Sequence, residues 1–130
     1  MTINDIKIID IPKIHDYRGN LSVIEKDILP FVFKRVYYLY DVPSGAYRGG
    51  HAHKEQQEFL VALSGSFEVK LMDRAGKEKS VILNRPDKGL LIPNMIWREL
   101  KEFSSGAVCL VIASDVFIEK DYVRDIKEFK

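Results

Sequence analysis

The sequence is poor in cysteine and histidine, and each scarcity excludes a class of site. Cys109 is the single cysteine among 130 residues, which excludes an intramolecular disulfide and favours a reducing compartment. It lies in an apolar run at residues 107–113, so we expect a buried, unreactive thiol rather than a nucleophile. With only three histidines, few side chains are available as metal ligands or as acid–base catalysts.

Long apolar runs and an excess of one charge are also absent. No apolar run approaches 18 residues, so we expect no membrane-spanning segment. The 20 Lys and Arg residues nearly balance the 19 Asp and Glu residues, leaving a net charge of +1 and no broad basic surface for nucleic acid. The first residues lack a charged segment followed by an apolar stretch, so we expect no signal peptide and a cytoplasmic location.

Short segments rich in β-branched and aromatic residues alternate with turns of Gly, Pro, Asn and Ser along most of the chain. This pattern is typical of an all-β protein, an antiparallel sandwich or barrel. The length suits a single domain over residues 1–130 with one core. The predicted strands cover residues 6–11, 21–25, 33–42, 58–63, 67–72, 80–83, 89–92, 96–103 and 107–113.

Three pairs of these strands are separated by short turns that contain glycine. Residues 58–63 and 67–72 are predicted to form one hairpin, residues 67–72 and 80–83 a second across the turn at 73–77, and residues 96–103 and 107–113 a third. The charged tail from Glu119 predicts a short helix or an ordered arm.

Two of the histidines, His51 and His53, are one residue apart in a stretch framed by Gly45 and Gly65. In a β-strand, residues i and i+2 point to the same face, so both imidazoles are expected to enter one space. Imidazole titrates near neutral pH and is also the commonest metal ligand. The pair therefore predicts either an acid–base site or a metal site.

The spacing Gly45-(five)-His51-x-His53-(four)-Glu58-(six)-Gly65 matches the first cupin motif at every position. This resemblance implies a cupin fold, a small β-barrel or jelly roll that encloses a small ligand. In metal-binding cupins the two histidines and the glutamate of this motif ligate the metal, together with a histidine from a second motif.

In the second motif, Arg98 stands five residues after Pro93, where metal-binding cupins have histidine. A guanidinium has no lone pair to offer a metal. At about 4 Å and an effective dielectric near 20, each pair of like unit charges costs roughly 4 kcal/mol. We therefore expect no metal and no other cofactor. A metal-dependent oxygenase or isomerase that uses His51, His53 and Glu58 remains an alternative if Arg98 turns outward.

Residues 34–43, continuing to Arg48 and the histidine pair, resemble the nucleotide-sugar 3,4-ketoisomerases of the WxcM-like cupin group. Residues 16–21 and 121–129 fit the two ends of that family, so the resemblance covers nearly the whole chain. It implies a substrate, dTDP-4-dehydro-6-deoxy-D-glucose. The keto group of this dTDP-sugar moves from C4 to C3 by proton transfer through an enediol, as a step of deoxysugar and polysaccharide biosynthesis.

The resemblance also suggests roles for individual side chains. His51 is predicted to be the base, because an imidazole suits proton transfer near neutral pH. His53 orients His51 or relays the proton, and Tyr37 moves a proton between adjacent sugar oxygens. Arg48 or Arg98 stabilises the developing enediolate.

Other residues are predicted to bind the nucleotide. Arginine binds diphosphate in a bidentate manner, and Arg18, Arg35 and Arg98 are the candidates. Tyr17 is predicted to stack on thymine or to line the sugar pocket. The cupin resemblance also favours a homodimer, in which residues 6–11 add to a neighbour's sheet.

Two further functions remain open at the level of sequence. A related nucleotide-sugar epimerase would leave the carbonyl at C4. A non-catalytic binding module would hold a sugar without changing it.

Overall fold

The structure, a computed structural model, describes residues 1–25 and 27–130. Within these ranges the chain is almost entirely β-structure. Its strands and short helices are β1 (Lys7–Asp10), β2 (Lys13–Asp16), β3 (Gly19–Ser22), β4 (Arg35–Leu39), β5 (Arg48–His53), β6 (Glu58–Ser64), β7 (Phe67–Met72), β8 (Glu78–Leu83), β9 (Lys88–Ile92), β10 (Trp97–Lys101), β11 (Val108–Ala113), β12 (Tyr122–Val123), α1 (Ile126–Phe129) and two 3₁₀ turns (Ile3–Asp5 and Glu119–Asp121).

The described strands form two five-stranded antiparallel sheets and a separate hairpin. The first sheet has the order β1-β9-β6-β11-β4, the second has the order β12-β5-β10-β7-β8, and β2 pairs with β3 alone. Apolar side chains from both sheets pack against each other in the space between them, which is how two layers form a jelly roll. The predicted all-β jelly roll is confirmed.

The second predicted hairpin is confirmed, because β7 pairs with β8. The first and third are wrong, although their strands are present. Strand β6 pairs with β9 and β11, whereas β7 pairs with β8 and β10. In the same way, β10 and β11 lie in different sheets. The short loops after β6 and β10 therefore carry the chain from one sheet to the other instead of reversing it within a sheet.

These two loops pack against each other. Ser104 donates its backbone N–H to the carbonyl of Ser66 at 2.9 Å, and its hydroxyl accepts the N–H of Ser66 at 2.9 Å. Gly65 has a φ of +66°, and a Cβ there would collide with Ser104 and Ala107. The close approach therefore requires glycine at this position.

The space between the sheets has two chemically different ends. At the end that we call the apolar end, Ala62, Phe67, Val69 and Phe103 are buried, and the rings of Phe67 and Phe103 stack with centroids 5.2 Å apart. At the opposite, polar end, charged and polar side chains are buried instead: His53, Glu58 and Arg98.

Two segments lie at the edges of this sandwich. The N-terminal strand β1, predicted to join a neighbour's sheet, pairs with β9 of its own chain at the sheet edge. The predicted C-terminal arm is present, since β12 pairs with β5 and Phe129 of α1 is buried beside Trp97. Among the described residues, no helix has the length and apolar character that crossing a membrane requires.

Candidate active site

The polar end opens into a cavity of about 260 Å³. Both sheets contribute to its wall, and the C-terminal arm closes one side. The lining residues are Arg35, Tyr37, Leu39, Arg48, Gly49, His51, Glu58, Leu60, Arg98, Leu100, Val111, Tyr122 and Arg124. The cavity thus collects most of the side chains that the sequence singled out.

Strand β4 turns alternate side chains toward the cavity. Arg35, Tyr37 and Leu39 line it, whereas Tyr38 and Tyr40 are 60% and 61% exposed on the outer face. This is the alternation expected for a regular strand with Tyr37 inward. Of the two adjacent tyrosines, only Tyr37 is placed to meet a ligand in this cavity.

A bulge in β5 changes the alternation on the opposite wall. His51 pairs with Arg98 and Arg48 pairs with Leu100, so β5 has one more residue than β10 over this interval. The bulge includes Gly49, which has a φ of +85°. Because of the extra residue, Arg48 and His51 both line the cavity although they are three positions apart.

The two imidazoles share one space, as predicted, but they have different surroundings. Their ring centroids are 4.8 Å apart and the rings are nearly perpendicular, at 86°. His51 lines the cavity, while His53 is fully buried. Within the described part of the chain, His51 Nε2 is buried and has no hydrogen-bond partner. This nitrogen is therefore free to meet a ligand.

His51 is held in its neutral form. Burial lowers its pKa from the ordinary value of 6.5 to about 3, and the positive charge of Arg98 contributes in the same direction. We expected from the sequence an imidazole that titrates near neutral pH. The structure instead keeps the unliganded base unprotonated throughout the physiological range.

Glu58 joins three of these side chains. One carboxylate oxygen accepts a hydrogen bond from Arg98 at 2.5 Å, and the other accepts one from the Tyr37 hydroxyl at 2.7 Å. His53 Nε2 lies 3.6 Å from the oxygen that Arg98 contacts. The exposed fractions of Glu58 and Arg98 are only 2% and 1%, so this is a buried ion pair.

This network sets the charge of its members. Burial alone would raise the pKa of Glu58, but the positive charge of Arg98 and the hydrogen bonds that the carboxylate accepts outweigh it and lower the pKa to about 2. Burial raises the pKa of Tyr37 far above its usual range, and the negative charge of Glu58 adds to the effect. Glu58 is therefore ionised and Tyr37 is neutral at physiological pH.

The alternative metal site can be judged on the same geometry. His51, His53 and Glu58 offer three ligand atoms within 4.8 Å of one another. However, Arg98 points inward, and both Glu58 oxygens already accept hydrogen bonds from Arg98 and Tyr37. A divalent cation at this position would meet the guanidinium charge at close range. In this arrangement the residues do not fit a metal ion.

Positive charge exceeds negative charge on the cavity wall. Four of its described lining residues are arginines, and Glu58 is the one carboxylate in that lining. Arg98 is paired with Glu58, and Arg124 is paired with Glu119 at 2.9 Å. Two nitrogens of Arg35 are buried without a hydrogen-bond partner among the described residues. This unsatisfied guanidinium suits an anionic ligand.

Sequence reasoning missed the contribution of the C-terminal arm. Tyr122 packs against both imidazoles, with ring centroids 5.0 Å from His51 and 4.4 Å from His53. Asp121 lies 3.1 Å from His53 Nδ1. The pairing of Tyr122 with His53 across β12 and β5 fixes this placement. Residues 121–129 fit the family's C-terminal end, but nothing in that pattern connects them with His53, which is about 68 positions away along the chain.

Tyr17 and Arg18, predicted to bind substrate, lie outside this cavity. They occupy the turn of the β2–β3 hairpin, where Tyr17 is 97% exposed. Arg18 is paired with Asp16 at 2.7 Å. The structure thus brings His51, His53, Tyr37, Arg35, Arg48 and Arg98 together, and it does not bring Tyr17 and Arg18 to the same place within one chain.

Comparison with known proteins agrees with this site. The sequence matches the family model described as WxcM-like, C-terminal (FdtA) over residues 4–130. The chain belongs to the WxcM-like family. The resemblance inferred from the sequence is thereby confirmed over nearly its whole length.

Named relatives of this WxcM-like protein are sugar isomerases. The TDP-4-oxo-6-deoxy-alpha-D-glucose-3,4-oxoisomerase of Aneurinibacillus thermoaerophilus is 41% identical over 125 residues, which is 95% of this chain and 89% of that protein. Among solved structures, a 3,4-ketoisomerase from Helicobacter canadensis is 44% identical, with a TM-score of 0.92 and coverage of 96% of this chain and 94% of that one.

A second solved structure carries a nucleotide. It is QdtA, a sugar 3,4-ketoisomerase from Thermoanaerobacterium thermosaccharolyticum, in complex with TDP. The identity is 38% and the TM-score is 0.94, with coverage of 98% of this chain and 93% of that chain.

Proposed function

We propose that this protein is a sugar 3,4-ketoisomerase that moves the keto group of TDP-4-keto-6-deoxyglucose from C4 to C3. The relatives' activities agree with the family and with the site. The observation that carries the proposal is the neutral His51, whose buried Nε2 lacks a partner within the described chain, on the wall of a cavity rich in arginine.

The reaction needs a base beside C3. In the 4-keto sugar, the C3 proton is acidified by the adjacent carbonyl. His51 Nε2 takes that proton, and the electron pair left at C3 forms an enediolate across C3 and C4. The imidazolium then returns a proton to C4, and the carbonyl forms at C3. A positioned base of this kind contributes about 10²- to 10⁴-fold to the rate.

The two sugar oxygens must also exchange a proton. The C3 hydroxyl loses one and the C4 oxygen gains one. The phenol of Tyr37, neutral because its pKa is raised, donates to one oxygen while it accepts from the other. In the free protein the single hydrogen of this hydroxyl is donated to Glu58. With the substrate bound, this hydrogen turns from Glu58 to the C4 oxygen, while the phenol oxygen accepts from the C3 hydroxyl.

The arginines stabilise the charge that develops. The enediolate carries a negative charge, and the buried Arg98 guanidinium offers preorganised donors close to it. The low pKa of His51 fits the same scheme, because Arg98 is one cause of it. An anionic nucleotide sugar offsets that positive charge and raises the pKa of His51, which makes the imidazole a stronger base once the substrate is bound.

The diphosphate is assigned to arginines that have no carboxylate partner. The unpartnered nitrogens of Arg35 favour it for this contact, and Arg48 lines the same cavity. Tyr17 and Arg18 remain predicted contacts, and from their position on the β2–β3 hairpin they would act in the cavity of a second subunit. A homodimer, a cytoplasmic location and a place in deoxysugar or polysaccharide biosynthesis remain predictions that accompany this assignment.

The other functions considered from the sequence have less support. The epimerase would use a similar cavity, but the named relatives at 38–44% identity are 3,4-ketoisomerases. The metal-dependent enzyme needs Glu58 as a ligand, and this carboxylate is engaged by Arg98 and Tyr37. A pure binding module would use the His51 nitrogen only to bind a ligand, whereas the named relatives are enzymes that isomerise a sugar.

The assignment is tested by analysing the product. The purified protein is incubated with TDP-4-keto-6-deoxyglucose, and the position of the carbonyl carbon is read by ¹³C NMR. We expect the carbonyl signal to move from C4 to C3. A product that keeps its carbonyl at C4 with inverted neighbouring stereochemistry would identify an epimerase, and TDP-sugar that binds but stays unchanged would identify a binding module.

A further inference from the structure

We propose that Asp121 is a positioning residue, whose carboxylate holds His53 in the tautomer with hydrogen on Nδ1 and thereby fixes the ring of His51. The kinetic consequence of this inference rests on the proposed ketoisomerase function. The tautomer itself does not depend on that function.

The Asp121 carboxylate is surrounded by donors. One oxygen accepts the backbone N–H of Glu55 at 2.9 Å, and the other accepts that of Gln56 at 3.1 Å. The second oxygen also lies 3.1 Å from His53 Nδ1. An ionised carboxylate can only accept, so the contact requires the hydrogen to be on Nδ1.

The nearer neighbour of the other ring nitrogen agrees with this assignment, because Glu58 Oε1 lies 3.6 Å from His53 Nε2, beyond hydrogen-bond distance. His53 Nε2 lies 3.4 Å from the amide nitrogen of Gln56, and the same amide nitrogen donates to Glu58 at 3.2 Å. An amide NH₂ has two hydrogens, one for each of these acceptors. His53 Nε2 is then the acceptor, as the Nδ1-protonated tautomer demands.

The orientation of His53 reaches the catalytic groups through direct contacts. The His51 ring meets the His53 ring edge-on at 4.8 Å. Tyr122, the residue after Asp121, packs against both rings. On the other side, Gln56 connects His53 to Glu58, and Glu58 holds Tyr37. A change at Asp121 therefore moves His51 and loosens Tyr37 without removing either side chain.

The variant Asp121→Asn tests this chain of contacts. An amide presents a donor where the carboxylate presented an acceptor, so it cannot accept from His53 Nδ1 and the N–H groups of Glu55 and Gln56 together. We expect His53 to change to the Nε2-protonated tautomer and kcat to fall by about 10- to 100-fold, as is typical when a residue that orients a functional histidine is replaced.

The Michaelis constant separates positioning from binding. Among the described residues that line the cavity, Asp121 is absent, so KM for the TDP-sugar should stay within about threefold while kcat falls. The matched control is Asp125→Asn on the same arm, whose carboxylate caps α1 by accepting the N–H of Lys127 at 2.9 Å. The control variant should retain the wild-type kcat and the wild-type tautomer.

The tautomer is read by NMR of the protein labelled with ¹⁵N-histidine. Only three histidines contribute, and His15→Gln and His53→Asn variants assign their signals. The inference predicts an Nδ1-protonated His53 in the wild-type protein and an Nε2-protonated His53 in Asp121→Asn.

The outcomes distinguish the two proposals. An Nε2-protonated His53 in the wild type would overturn the positioning role, whether or not any variant folds. Wild-type kcat in a folded Asp121→Asn would overturn it as well. A wild-type protein that shows the expected tautomer but does not isomerise the sugar would instead refute the proposed function.

Discussion

The two ends of the space between the sheets are built by the same strands but have opposite chemistry. Along β6 the inward side chains change from Glu58 at the polar end through Leu60 to Ala62 at the apolar end. Along β10 they change from Arg98 to Leu100. Two residues along a strand therefore separate a buried charge from the hydrophobic core.

The apolar end stabilises the fold, whereas the polar end holds the groups that would react with a substrate. Buried apolar surface contributes about 25 cal/mol per Å² at the apolar end. At the polar end, burying Glu58 and Arg98 carries a desolvation cost that their mutual contact only offsets. We infer that the polar end is kept for the reaction, and that its stability depends on every charge retaining its partner.

The largest expected effect is on activity at the polar end. His51→Asn removes the base but leaves the cavity and its arginines, so kcat should fall by about 10²- to 10⁴-fold while TDP still binds. Steady-state kinetics and calorimetric titration with TDP measure the two quantities. A variant with wild-type kcat would show that another group takes the C3 proton.

The next effect is on stability. Glu58→Gln leaves the buried Arg98 without its ion-pair partner, so the free energy of unfolding should fall by about 3–5 kcal/mol. Denaturant unfolding measures this. The control is Glu68→Gln, which removes a half-exposed contact with Lys101 at 3.5 Å and should cost at most about 1 kcal/mol. Equal losses in the two variants would contradict the picture of a charge-compensated polar end.

Adjacent tyrosines of β4 give a matched pair of variants. Tyr37→Phe removes the hydroxyl that donates to Glu58 and should lower kcat by about 10- to 100-fold, whereas the exposed Tyr38→Phe should change it by less than about twofold. The two substitutions delete the same atom from opposite faces of one strand. Similar kinetics for both would show that Tyr37 has no part in proton exchange.

A substitution at the apolar end should affect stability alone. Phe67→Leu removes part of the stack with Phe103, and the free energy of unfolding should fall by about 1–3 kcal/mol. The kcat of the folded fraction, measured well below the unfolding midpoint, should stay at the wild-type value. A large loss of kcat would mean that the two ends are coupled through the core.

The smallest effect concerns pH. His51 has its ordinary pKa of 6.5 in the unfolded chain and about 3 in the folded one, so below pH 6.5 the unfolded state binds a proton that the folded state does not. This contribution to stability is complete above pH 6.5 and is lost as the pH falls toward 3. Between pH 7 and 5 it amounts to about 1–2 kcal/mol.

Glu58 also makes the protein less stable as the pH falls, but over a lower pH range. Its pKa falls from 4.5 to about 2 on folding, so its contribution is present above pH 4.5 and is lost as the pH falls toward 2. Unfolding curves at several pH values check both effects. Between pH 7 and 5 the free energy of unfolding should fall less in His51→Asn than in the wild type. An equal fall in the two proteins would contradict the depressed pKa of His51.

Local pattern was enough to predict much of the fold. The bounds of β7 are those predicted, and β6, β9 and β11 differ by one residue at one end. The pairing of strands was not predictable in the same way. A loop such as the one at Gly65 has the residues of a hairpin turn, but whether the chain reverses or crosses to the other sheet depends on distant partners.

The same distinction between local pattern and long-range contact applies to the candidate active site. The i, i+2 period of a strand predicted that His51 and His53 enter one space, and it also explains why Arg35 and Tyr37 of β4 share a face. The role of Glu58 needed the structure, because only the contact with Arg98 shows that the carboxylate is engaged. The family resemblance covered Asp121 and Tyr122 but gave them no place in the site, since it is the pairing of β12 with β5 that brings them to the histidines.

The most direct test of the central claim is deuterium incorporation catalysed by metal-depleted protein. Wild type and His51→Asn are dialysed against chelator and given TDP-4-keto-6-deoxyglucose in deuterated water. We predict that the chelator-treated wild type forms the 3-keto product, with deuterium on the sugar ring, as fast as untreated wild type does in the same solvent. We predict that His51→Asn incorporates little deuterium. Loss of wild-type activity in chelator with recovery on adding a divalent metal, or full incorporation without His51, would contradict the account.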